Sequence, residues 1–110
     1  MNEAELDECL SALSNILCAE EHLEKSAVDH PERLNLALKL RSIRNELVSA
    51  FNIENVELWC AFKHSLLAYH QLIETAVFCG ESPAANEYLK GSGLAWFICK
   101  EILNLAQNEK

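Results

Sequence analysis

The stretch from Glu57 to Cys79, ELWCAFKHSLLAYHQLIETAVFC, decides how this chain folds. It contains neither Gly nor Pro, the two residues that most disfavour a helix interior. Leu58, Phe62, Leu66, Tyr69, Ile73 and Ala76/Val77 recur at steps of three and four, which places them on one side of a helix. Glu57, Cys60, His64 and Gln71 fall on the opposite side, with Lys63, His70 and Glu74 between. The segment reads as a helix with a core stripe and a second face of chemically capable groups.

Working outward, Gly80 is placed to close this helix, and Ser82-Pro83 supplies a cap and a first-turn residue for the next. Residues 83–90 have helix potential, but Gly91-Ser92-Gly93 predicts a break or kink before a final helix from Leu94 to about Asn104 or Ala106. That helix shows Leu94, Ile98, Ile102 and Leu105 on one side and Trp96, Cys99 and Leu103 on the other. Towards the amino terminus, Asn52 to Asn55 forms a tight connection into the helix beginning at Ile53 or Glu54. A helix from about 31 to 51 precedes it and is expected to bury Leu36, Leu40, Ile43, Leu47 and Phe51. Its start is marked by Asp29-His30-Pro31-Glu32, where Asp29 can cap and Pro31 needs no amide partner.

The first helix runs from about Glu3 to Val28, with Asn2 and Glu5 as a capping box and Leu6, Leu10, Leu13 and Leu17 as its stripe. Past Leu17 the pattern puts Glu20 and Glu24 where apolar residues belong: either the buried face rotates towards Ile16, Ala19 and Leu23, or these carboxylates meet basic groups of the next helix. Residues 1–30 hold eight acidic groups against Lys25 alone, whereas 31–51 hold Arg33, Lys39, Arg41 and Arg44 against Glu32 and Glu46. With a short turn between them the two helices are antiparallel neighbours, and the charge asymmetry becomes interhelix pairing. An Arg44 reaching a carboxylate across a dry seam would set the register of that pair.

Alternating runs, β-branched clusters and hairpin dipeptides are missing, so the fold class is all-α. Four helical segments with short connections predict a single 1–110 domain, an up-down-up-down four-helix bundle whose fourth segment is broken at Gly91–Gly93. The third and fourth helices each carry apolar residues beyond one stripe. This predicts a homodimer with Trp59, Phe62, Leu67, Phe78, Trp96 and Leu103 as interface residues.

A net charge of −8 disfavours phosphate binding, which needs a Lys/Arg surface, so neither nucleic acid nor an anionic membrane is expected as a partner. The longest apolar runs are too short to span a bilayer, and the acidic start MNEAELDE lacks the positive charge of a targeting segment. Five cysteines without a C-x-x-C pair fit reduced thiols in the cytoplasm.

Two local sequences, LCAEEHL at 17–23 and WCAFKHS at 59–65, share Cys-Ala-x-x-His. Cys18 with His22 and Cys60 with His64 supply two sulfurs and two imidazoles, the ligand set of a tetrahedral zinc site. Zinc is therefore the cofactor these residues would take; otherwise none is expected. Cys60 beside Lys63 and His64 has the ingredients of an activated thiol, yet nothing supplies an orienting third group or an oxyanion site. His70 and Glu74 read as a solvated pair one turn apart. Glu-x-x-His, His-Glu-x-x-His, phosphate-loop and EF-hand patterns are absent. The chain reads as a protein-interaction or assembly module rather than an enzyme. The alternative is a metal- or small-ligand-binding bundle.

Overall fold

The computed structural model describes residues 1–108. The protein is all-α: α1 (Glu3–Ser26), α2 (Leu34–Ser49), α3 (Val56–Cys79) and α4 (Pro83–Asn108) account for nearly all of the described chain, which forms no strand. It divides into two compact units, Met1–Phe51 and Asn52–Lys110, each a packed helix pair.

In the first unit α1 begins as its sequence requires. The Asn2 side chain accepts a hydrogen bond from the Glu5 amide at 2.8 Å, satisfying a donor that the helix itself cannot. Glu5 reaches back to the Asn2 side-chain amide, which donates to it at 2.6 Å, rather than to the backbone N–H of an ordinary capping box. Leu10, Leu13 and Leu17 are buried, and the stripe continues one turn further into Glu20. The Glu20 carboxylate accepts from Arg44 Nε at 2.7 Å and from Arg44 Nη2 at 3.0 Å, a forked contact between α1 and α2. Both side chains are nearly sequestered, Glu20 at 5 % and Arg44 at 11 % exposure. Half-exposed Arg41 extends the pairing, 3.8 Å from Glu20 and 3.6 Å from Glu24. The later carboxylate meets the earlier arginine, so α1 and α2 run antiparallel.

Two expectations need correction here. The second helical segment starts as a short 3₁₀ turn, Pro31–Arg33, with His30 preceding it, and no side chain caps it; Asp29 does not take that role. Instead the Ser26 hydroxyl accepts a hydrogen bond from Arg33 across the connection. The buried face of α2 is also rotated from the expected stripe. Ala37, Arg44 and Phe51 are buried, Leu40 and Leu47 are half-buried, and Leu36 and Ile43 stand half open to solvent. The arginine fork accounts for this, because Arg44 can meet Glu20 only if its own face of α2 turns inward.

In the second unit the connection enters through Asn52, whose φ of 53° is the left-handed conformation that Asn tolerates better than most residues. Asn55 caps α3, accepting from the Leu58 amide at 3.0 Å, so the helix starts at Val56, slightly later than expected. Gly80 closes it with φ of 68°. Phe62, Leu66 and Ala76 are fully or nearly buried, with Leu58, Tyr69 and Ile73 half-buried beside them. α4 returns antiparallel: the Cys99 sulfur lies 4.0 Å from the Phe62 carbonyl, and the Trp96 ring is 4.6 Å from that of Tyr69.

The predicted break at Gly91–Gly93 does not occur; α4 is continuous from Pro83 to Asn108. Two glycines cost an exposed helix about 1 kcal/mol each relative to alanine. Here one of them lies against α3, where a Cβ on Gly91 would come 3.4 Å from Leu72 Cδ1. Ser92 between them is buried, and its hydroxyl donates to the Leu89 carbonyl at 2.7 Å. Burial along Ser92, Ala95, Cys99, Ile102, Leu103 and Ala106 carries the helix through the glycines.

Removing Arg44 should leave Glu20 buried with only its longer contact to Arg41. Arg44→Met is expected to destabilise the protein by about 3 kcal/mol, and Glu20→Leu/Arg44→Met to recover most of that loss. Denaturant unfolding followed by far-ultraviolet circular dichroism measures both; equal losses in the two variants would contradict the pairing.

Candidate functional site

The ligand-like residues are distributed between the units. Cys18 and His22 belong to α1 of the first, Cys60 and His64 to α3 of the second. One helical turn brings the Cys18 sulfur and a His22 ring nitrogen within 4.8 Å of each other, so this pair forms a two-ligand half-site. Cys18 is half-buried and His22 exposed. Cys60 and His64 are both exposed on α3, with half-buried Lys63 beside them. None of the five cysteines is joined in a disulfide.

Cys99 has a different environment. It is fully buried against α3, and desolvation of the thiolate pushes its thiol up to about 12, with a backbone hydrogen bond opposing the shift only in part. Burial also raises the Cys9 thiol. Cys99 acts as a small core hydrophobe rather than a nucleophile, whereas Cys9 is only half-buried. His70 Nε2 sits 3.1 Å from Glu74 Oε1, with the carboxylate half exposed. That is the surface pair its spacing suggests, contributing a few tenths of a kcal/mol.

A depression of about 200 Å³ lies at the α3–α4 turn, lined by Ala76, Val77, Ala85 and Leu89 with Glu81 and Asn86. Ligand sites typically enclose 300–1,000 Å³ around several convergent polar groups. This hollow is smaller, and Glu81 is its one ionisable residue.

The expected interface residues separate into three environments. Phe62 and Leu103 are buried and belong to the packed interior. Trp59, Leu67 and Trp96 are half-buried. Trp59 packs on Phe62 with ring centroids 5.9 Å apart, and Trp96 lies against Tyr69 with Lys100 Nζ 5.8 Å from its ring. Trp96 thereby joins α3 to α4. Phe78 alone of the six is open, at 91 % exposure near the end of α3.

The more extensive apolar surface is elsewhere on α4. Leu94 is 61 % exposed, Phe97 58 %, Ile98 41 % and Leu105 54 %. At 100° per residue these four fall within roughly a third of the helix circumference, on the side turned away from the Ala95–Cys99–Ile102–Ala106 stripe. Phe97 was absent from the sequence-based interface. Its signal was available, since it lies three residues after Leu94 and eight before Leu105.

Comparison with known proteins returned no match from family models, curated proteins or solved structures.

Thiol chemistry should follow these environments. Iodoacetamide is expected to modify Cys60 in the folded protein and Cys99 only on unfolding, as read by peptide mass spectrometry. Because the folded-state Cys99 thiol titrates above its ordinary value of 9, its contribution to stability is whole below that pH and lost as pH rises towards about 12. Cys99→Ala should flatten that part of the stability–pH curve, and parallel curves would contradict the assignment.

Proposed function

We propose that this protein is a cytoplasmic protein-interaction module that assembles as a homodimer through its second helix pair. The observation that carries the reading is the second apolar face of α4, where Leu94, Phe97, Ile98 and Leu105 stay open although the helix already has a complete buried stripe. A contiguous apolar face of this kind is stabilised by covering it with protein. The acidic balance of −8 argues against nucleic acid and anionic lipid as the cover. Among the described residues no helix is long and apolar enough to cross a membrane.

A second reading has its own observation, the Cys18–His22 half-site. One sulfur and one imidazole within 4.8 Å could share a zinc ion that completes its coordination with other ligands.

Native mass spectrometry of protein purified under reducing conditions tests both. Twice the chain mass, with no excess, supports the assembly module, and Phe97→Asp should weaken the dimer at least about tenfold, since a buried aromatic anchor contributes well over 1.4 kcal/mol. A single-chain mass at every concentration would overturn the homodimer. An excess of one zinc per chain, lost in Cys18→Ser, would favour the second reading.

A further inference from the structure

Lys90, Leu94, Phe97 and Glu101 succeed one another on α4 at steps of four, three and four. That spacing draws a single line along a helix, the seam along which two helices pack. All four are exposed. A basic residue stands at one end of the line, an acidic residue at the other, and two large apolar residues lie between.

We infer that two copies of this chain associate through α4 in antiparallel orientation, with Lys90 of each facing the partner's Glu101 and Leu94 facing the partner's Phe97. This rests on the homodimer reading and specifies its surface, direction and register. A two-fold axis perpendicular to an antiparallel helix pair relates residues equally distant from the centre of contact. Centred between Ala95 and Trp96, the axis matches Lys90 with the partner's Glu101 twice, the two contacts being about 16 Å apart along the helix at 1.5 Å per residue. It also matches Leu94 with the partner's Phe97 twice, so apolar surface meets apolar surface between the charged ends.

The alternatives are worse on charge alone. Parallel packing in register sets Lys90 beside the partner's Lys90 and Glu101 beside the partner's Glu101, two like-charge contacts in a partly desolvated interface. Moving the antiparallel centre to Phe97 and Ile98 brings Glu101 onto the partner's Leu94 and buries a carboxylate against hydrocarbon. Of these three arrangements, only the antiparallel one centred between Ala95 and Trp96 satisfies both charges and joins the two large apolar residues. Lys90 now lies 3.3 Å from Glu87 of its own helix, but both side chains are 74 % exposed, so exchanging that pair for an interchain one costs little.

Charge reversal tests the direction and register separately from dimerisation itself. Sedimentation equilibrium is run on the full chain and on Lys90→Glu, Glu101→Lys and the double exchange, with circular dichroism to confirm helicity. Each single reversal is expected to weaken the dimer about tenfold, and the double exchange to restore it to within about threefold. A wild-type dimer indifferent to both single reversals would overturn the inference, because parallel packing replaces one like-charge pair with another; the homodimer reading would survive. Weakening in the singles without recovery in the double would also overturn it. A wild-type chain that stays monomeric would remove both.

Discussion

The forked contact between Arg44 and Glu20 governs the first helix pair. Burying two ionised groups is expensive unless geometry and hydrogen bonding repay the loss of water. Two short bonds, at 2.7 and 3.0 Å, offset that cost in a way few other placements of these side chains could. Once they are made, α2 has no freedom to rotate, and its leucines are sorted by the constraint: Ala37 inward, Leu36 and Ile43 outward. A purely hydrophobic seam would tolerate several rotations of nearly equal energy, whereas this one distinguishes among them.

The second pair solves the same problem without charge. Small residues on α4, among them Ser92, Ala95, Cys99 and Ala106, face α3, where Phe62 and Leu66 supply bulk. Small against large lets the helices approach closely, and Gly91 beside Leu72 extends that approach through the segment whose composition argues for a break. The aromatic contact between Tyr69 and Trp96 adds a directional element to the packing. With small residues providing the interior stripe, many of the large apolar side chains of α4 are left for the outside.

That distribution bears on function. The reactive side chains are scattered, buried or paired at the surface: Cys99 is sealed in the interior, His70 faces Glu74, and Cys60 lies exposed. The organised feature is an apolar face bounded by opposite charges. In the homodimer we propose, that face would supply the contact and the opposite charges at its ends would set its orientation.

Much of the fold was legible in the residues because helices, their ends and their turns are local phenomena. Asn2 announced a cap and Gly80 a closing turn, and Glu20 in an otherwise apolar stripe pointed to either a rotated face or an ionic partner on the following helix; the cap at Asn55 falls slightly later than the expected helix start at Ile53 or Glu54. The Cys18–His22 pair followed from helical spacing alone. What periodicity could not decide was which of two apolar stripes is covered, because a helix with Leu94, Ile98, Ile102 and Leu105 on one side and Trp96, Cys99 and Leu103 on the other satisfies the pattern either way, and burial in fact separates Ile102 from the three residues grouped with it. The structure chose the stripe whose smaller residues fit against Phe62 and Leu66, and that choice exposed Leu94, Phe97 and Leu105 while burying Leu103. It likewise carried α4 through two glycines, since their local penalty is smaller than the gain from packing a continuous helix. Local sequence determined the elements; complementarity of size and charge between neighbouring helices determined which faces remain free to act.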